Sequence, residues 1–175
     1  MCDTCDISCS VCYADVRNCS TCNVSGGYVF SRINSTTCVT TCDDGYYKDM
    51  NSNACLPCSS NCLTCVNSDN YCLTCGMSYG LQTYLLATDC IFPCPNGFYP
   101  NSYTNTCETC DISCLICTGP TSTECTACSN DTVNGVSTIY YLGIGQTICY
   151  ATCPQGQYID ANIANLCQQC SSNCS

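Results

Sequence analysis

Cys2-Asp-Thr-Cys5-Asp-Ile-Ser-Cys9-Ser-Val-Cys12, followed by Cys19 and Cys22, is the stretch on which the fold turns. Its cysteines are separated by 2, 3, 2, 6 and 2 residues, and the ruler continues with gaps of 15, 3 and 12 through Cys38 and Cys42 to Cys55. From Cys55 the gaps are 2, 3, 2, 6, 2, 14, 3 and 12, ending at Cys107. From Cys107 they are 2, 3, 2, 7, 2, 20, 3 and 13, ending at Cys167. A further copy opens at Cys167, Cys170 and Cys174. Self-similarity at a period of this length marks a repeat architecture. The repeats are 1–54, 55–106 and 107–166, with 167–175 the start of a truncated fourth.

Positions between the cysteines repeat as well. Cys42-Asp-Asp-Gly45-Tyr-Tyr47, Cys94-Pro-Asn-Gly97-Phe-Tyr99 and Cys153-Pro-Gln-Gly156-Gln-Tyr158 are one motif. Its glycine suits the positive φ of a tight turn, and the aromatic after it begins a strand. Cys-Asp-Thr-Cys5-Asp-Ile-Ser-Cys9 nearly matches Cys-Glu-Thr-Cys110-Asp-Ile-Ser-Cys114, whereas Cys58-Ser-Ser-Asn-Cys62 matches Cys170-Ser-Ser-Asn-Cys174. That alternation points to duplication of a two-repeat unit.

Composition sets the compartment. The chain carries 27 Cys in 175 residues, far above the level that marks a disulfide scaffold. So many cysteines belong in an oxidising place: extracellular, at the cell surface or in the secretory pathway. Cysteine is about a third of the apolar fraction, so little bulk is left for a common core, and covalent staples must substitute for one. Lys and Arg total 3 against 13 acidic residues, for a net charge of -10. Three cations cannot neutralise a nucleic-acid backbone or hold an anionic membrane surface. The segment has no apolar run long enough to insert into a membrane. It has no His, so Ser-His and Cys-His catalysis fail on inventory and no enzyme is expected. The acidic residues Asp43, Asp44, Asp69, Asp89 and Asp160 read as solvated turn residues. Cys-x2-Cys pairs also occur at zinc sites, but the overlapping ladder and the compartment favour disulfides, and no cofactor or metal is expected.

The ruler resembles the furin-like cysteine-rich repeat of growth-factor receptor ectodomains, R-spondins and the tails of some proprotein convertases. The third copy carries the resemblance furthest: Cys110-x3-Cys114-x2-Cys117-Thr-Gly119-Pro120, then Cys125-x2-Cys128 and Cys149-x3-Cys153-Pro154. The first two copies lack the Gly-Pro. The charge-poor Asn/Ser/Thr filling also resembles cysteine-rich surface antigens of ciliates and other protists. The cysteine spacing leaves the pairing open, since eight cysteines already allow 105 pairings. The resemblance implies Cys5–Cys12 interlocked with Cys9–Cys19, then Cys22–Cys38 and Cys42–Cys55. In the second repeat it implies Cys58–Cys65, Cys62–Cys72, Cys75–Cys90 and Cys94–Cys107. In the third it implies Cys110–Cys117, Cys114–Cys125, Cys128–Cys149 and Cys153–Cys167. Cys2, Cys170 and Cys174 stay unpaired within the segment, so the chain reads as a cut from a longer array; the alternative is that these cysteines join neighbouring subunits. The expected fold class is small, disulfide-rich β-hairpin repeats in an elongated rod-like tandem array with almost no helix.

The long gaps hold Tyr28-Val29-Phe30, Tyr84-Leu85-Leu86 and Tyr140-Tyr141-Leu142. These triplets either supply the small apolar packing of each repeat or form an exposed stripe that drives assembly. Sequons at Asn23, Asn34 and Asn130 lie in the same gaps and suit outward glycans; those at Asn18 and Asn173 have Cys in the middle position. The expected function is structural: a segment of a longer extracellular array forming a cell-surface coat or filament, rigidified by local disulfides and glycosylated. Its partners are then copies of itself or neighbouring repeats. The alternatives are a receptor- or adhesin-type ectodomain or secreted factor that grips a protein ligand through its long hairpin loops, and a surface antigen with no ligand.

Overall fold

A computed structural model describes residues 4–31, 36–133, 136–160, 162–163 and 165–171. Cys2, Cys174 and Asn34 lie outside the described residues. The chain divides into two compact units, Met1–Phe92 and Pro93–Ser175. The division falls between the bridges Cys75–Cys90 and Cys94–Cys107, and no disulfide among the described residues crosses it.

In the first unit a hairpin pairs Cys9–Cys12 with Cys19–Cys22. A four-stranded sheet follows, in the spatial order Cys38–Val39, Val29–Phe30, Ala54–Pro57, Tyr46–Asp49. The next copy of the first hairpin pairs Cys62–Cys65 with Cys72–Cys75. Two small hairpins complete the unit: Met77–Ser78 with Leu81–Gln82, and Tyr84–Leu86 with Asp89–Ile91. The second unit pairs Phe98–Asn101 with Thr106–Thr109 and Cys114–Cys117 with Cys125–Cys128. It continues with Asn130–Val133 against Val136–Ile139, Tyr141–Leu142 against Cys149–Tyr150, and Gln157–Ile159 against Cys167–Gln169. A three-residue 3-10 turn at Val24–Gly26 is the one helical element among the described residues.

The Cys-x2-Cys hairpins solve a geometric problem. Along a regular strand, residues three apart point to opposite faces. Here the register runs Cys9↔Cys22, Val11↔Thr21, Cys12↔Cys19, with irregularities on both sides of the middle pair. The same irregular register recurs at Cys62↔Cys75, Thr64↔Thr74, Cys65↔Cys72 and at Cys114↔Cys128, Ile116↔Ala127, Cys117↔Cys125. A bulge of this kind re-aims side chains, so the end cysteines turn inward together and the two residues between them turn out. Val11, Leu63, Leu73, Leu115 and Ile116 are exposed on that outer side.

Apart from Val29 and Tyr99, every buried apolar residue among the described residues is a cysteine of a bridge. The bridges span Cα–Cα distances of 5.1 to 5.8 Å, ordinary for cystine. A loop of about 15 residues closed in this way contributes roughly 3 kcal/mol through the entropy of the unfolded chain.

The turn motif holds in all three repeats. Gly45, Gly97 and Gly156 sit at φ of 80°, 83° and 81°, and the following residue bonds back to the carbonyl two positions before the glycine. At the far end of each of these hairpins Asn53, Asn105 and Asn165 take the left-handed conformation, which Asn tolerates best after Gly. A Cβ at Gly97 meets nothing within 4 Å, so a side chain there costs conformation alone. Gly97→Ala is expected to destabilise the oxidised protein by about 1–2 kcal/mol, read from denaturant unfolding, while the twelve bridges still form by mass mapping.

Candidate functional site: a cystine framework and its exposed faces

The structure joins Cys5 to Cys12, Cys9 to Cys19, Cys22 to Cys38 and Cys42 to Cys55. It joins Cys58 to Cys65, Cys62 to Cys72, Cys75 to Cys90 and Cys94 to Cys107. In the third repeat it joins Cys110 to Cys117, Cys114 to Cys125, Cys128 to Cys149 and Cys153 to Cys167. The first bridge closes a separation of 7 residues in every repeat, whereas the third closes 16, 15 and 21. The second and fourth bridges differ by one residue at most, so length variation is concentrated in the long loop of each repeat. The free thiol among the described residues is Cys170, which is half-buried.

Backbone hydrogen bonds fix each cystine cluster to its loop at equivalent places. The amides of Cys19, Cys72 and Cys125 donate to the carbonyls of Thr36, Thr88 and Thr147, at 2.8, 2.9 and 2.9 Å. The amides of Cys58, Cys110 and Cys170 donate to Gly45, Gly97 and Gly156, at 2.8, 2.9 and 2.9 Å. The second set joins the turn of one repeat to the second cysteine of the next. Two markers recur in the sequence: Thr-x-Cys at Thr36, Thr88 and Thr147, whose carbonyls accept the bonds of the first set, and Asn-x-Cys at Asn53, Asn105 and Asn165.

The three apolar triplets pack on the cystines instead of forming an exposed stripe. Val29 is fully buried, and Tyr28, Phe30, Tyr84, Leu85, Leu86, Tyr140, Tyr141 and Leu142 are half-buried. Tyr28 and Phe30 lie against Cys9, Cys19, Cys22 and Cys38; Leu85 lies against the cluster around Cys62 and Cys90; Tyr140 and Leu142 lie against that around Cys125 and Cys149. The strand holding each triplet pairs with the strand that begins at or beside the closing cysteine of the long loop, so the disulfide draws the triplet inward. The large exposed apolar residues are others: Tyr79 and Tyr103 are essentially fully exposed, at 104% and 97%, and Ile7 and Tyr13 stand at 75%. Tyr79 caps the Met77–Gln82 hairpin at φ 50°, a conformation that bulky side chains avoid, with Met77, Leu81 and Phe92 exposed around it.

The acidic residues are used locally. The carboxylate of Asp6 accepts the amide and hydroxyl of Ser8, and that of Asp111 accepts the amide (3.0 Å) and hydroxyl (2.6 Å) of Ser113. These bonds hold both carboxyls below the usual aspartate range. Hydrogen bonds from Asn101, Tyr99 and Thr104 do the same for Glu108, and those from the hydroxyl and amide of Thr121 for Glu124. Asp43, Asp44, Asp69 and Asp89 are exposed, and Asp160 accepts the amide of Asn162. The sulfurs of Cys62, Cys72 and Cys90 lie within 4.8 Å of one another, but all three are spent in disulfides and cannot ligate a metal as thiolates.

The sequon asparagines Asn23 and Asn130 differ. Asn23 is half-buried; its Oδ1 accepts from Gly26 N and Ser25 Oγ, and its Nδ2 donates to Ile7 O. Asn130 is exposed, and its Oδ1 accepts from Asn165 Nδ2 at 2.8 Å.

No family model matches the chain. Individual proteins do. Over 159 residues, 77% of this chain, it is 33% identical to Cysteine repeat modular protein 2 of Tetrahymena thermophila, of which it covers 8%. It is 33% identical to human Proprotein convertase subtilisin/kexin type 5 over 67% of its own length and 6% of the relative's. It is 30% identical to the human Extracellular matrix organizing protein FRAS1 over 77% of its length and 3% of the relative's. The chain thus spans less than a tenth of these relatives. In the convertase the similarity lies in the cysteine-rich repeat region and not in the catalytic domain. The chain is a tandem of furin-type cysteine-rich repeats, and it is an extracellular or secretory-pathway protein.

The Asp111 loop responds to acid in a definite sense. A carboxyl whose folded pKa is depressed contributes stability that is fully present above its ordinary range, roughly pH 4, and is lost as pH falls through the lower folded value. The Ser113 amide is therefore expected to shift in NMR spectra only below that range, and Asp111→Asn, which keeps an oxygen acceptor, to remove the titration while leaving the neutral-pH spectrum folded.

Proposed function

We propose that this chain is a non-catalytic structural segment of a longer extracellular repeat array, serving in a cell-surface coat or filament. The observation that carries the reading is the junction bond from Cys58, Cys110 and Cys170 to Gly45, Gly97 and Gly156, which recurs at each passage from one repeat to the next. A connection remade with the same geometry suits a protein whose role is to extend and resist, because each repeat is stapled by its own bridges and stiffened by its neighbour. Large apolar residues left outside the cystine clusters give such an array contact points for lateral association. The repeats in a protein named for organizing extracellular matrix accord with this role.

A second reading is favoured by Tyr79. A fully exposed aromatic held at positive φ on a short hairpin is the kind of rigid anchor that seats in a partner's pocket. In this reading the Met77–Gln82 finger of the second repeat grips a protein ligand.

Sedimentation velocity over a concentration series separates the two. The structural reading expects reversible association that grows with concentration and survives Tyr79→Ser. A chain that stays monomeric at high concentration contradicts it. The binding reading expects Tyr79→Ser to weaken capture of a specific extracellular ligand at least tenfold, with the oxidised fold intact.

A further inference from the structure

We infer that Asn130 carries an N-linked glycan in the folded protein, that Asn23 does not, and that the Asn130 glycan covers an apolar surface on the second unit. The inference rests on the secretory-pathway location and is independent of the coat or filament reading.

Asn130-Asp-Thr132 and Asn23-Val-Ser25 are both acceptor sequons. The chemistry asks the same of each asparagine. The amide Nδ2 attacks C1 of the first sugar of a lipid-pyrophosphate-linked oligosaccharide. The N–C1 bond forms as the C1–O bond to pyrophosphate breaks, the lipid pyrophosphate leaves with the bonding pair, and the amide gives up one proton. Afterwards Nδ2 keeps a single hydrogen and carries a bulky, hydrated substituent.

Asn130 accommodates that substituent. It stands exposed at the start of a strand, with Oδ1 turned to Asn165. No acceptor among the described residues takes its Nδ2, so the nitrogen is free to bear a sugar while the oxygen keeps its bond. At Asn23 both ends of the amide are engaged. Oδ1 caps the 3-10 turn through Gly26 N, at 3.1 Å, and Nδ2 reaches across to Ile7 O, at 3.0 Å. A sugar at Asn23 therefore crowds the turn that follows the first cystine hairpin.

Asn130 also lies on the rim of two open clefts, each of about 410 Å³. Phe98, Ile112 and Leu115 line one; Leu142, Ile163 and Leu166 line the other, which Leu115 also borders. Ile112, Leu115 and Ile163 are 59%, 39% and 48% exposed. Apolar residues gathered in this way invite nonspecific association unless something covers them. A glycan tethered at their common border covers both clefts with hydrated sugar.

The test is secretion of the chain from a eukaryotic host, followed by enzymatic deglycosylation in heavy-oxygen water and peptide mass mapping. The expected result is most Asn130 converted to labelled Asp and little or no Asn23 converted. Unmodified Asn130, or equal labelling at both sites, overturns the site assignment. Thr132→Ala then removes the sequon without altering the Asn130 side chain. It is expected to keep the disulfide map while raising hydrophobic-dye binding and self-association several-fold; unchanged dye binding and association overturn the covering role.

Discussion

A strand that begins and ends with Cys-x2-Cys must turn both sulfurs to one side, and the bulge that allows this governs each repeat. With the end cysteines facing in, the interlocked bridges Cys5–Cys12 and Cys9–Cys19 stack beneath the hairpin, as do their counterparts at Cys58–Cys65 with Cys62–Cys72 and Cys110–Cys117 with Cys114–Cys125. The fourth strand cysteine, Cys22, Cys75 or Cys128, then draws in the long loop and lays its apolar triplet on the cluster. Without the bulge one cysteine of each strand would face water, and neither the interlock nor the docking of the loop could form.

The consequence for function is an inversion of the usual division between inside and outside. Sulfur fills the interior, so residues that a larger domain would bury remain at the surface: Val11, Leu63, Leu73 and Ile116 between the paired cysteines, and Tyr13, Tyr79 and Tyr103 at turn tips. The carboxylates of Asp6, Asp111, Glu108 and Glu124 are likewise taken up by hydrogen bonds from residues close by in the chain.

Much of this was legible in the spacing of the cysteines, because a ruler repeated three times leaves little room for another architecture. The glycine turns were legible too: Gly45, Gly97 and Gly156 stand where a positive φ is needed. The bulges were not, since a two-residue gap between cysteines does not say whether the strand is regular. The fate of the triplets was also open, because Tyr28-Val29-Phe30 offers the same residues to a core or to a stripe. Burial was decided by the distant partner that each cystine brings in. The asparagines at 53, 105 and 165 looked like part of a polar filling, although the constancy of Asn-x-Cys was a usable signal. The two clefts beside Asn130 bring Phe98 to Ile112 in one and Leu115 to Ile163 in the other, and no local pattern predicts either grouping.

The central claim is that the cystines are the core and that the apolar residues cannot hold the fold without them. Hydrogen exchange on the oxidised chain and on the same chain fully reduced and alkylated, at neutral pH without denaturant, tests it most directly. The account predicts protected amides at Cys19, Cys72 and Cys125 in the oxidised protein and protection lost throughout the reduced one. Slow exchange surviving at those amides after alkylation would contradict it.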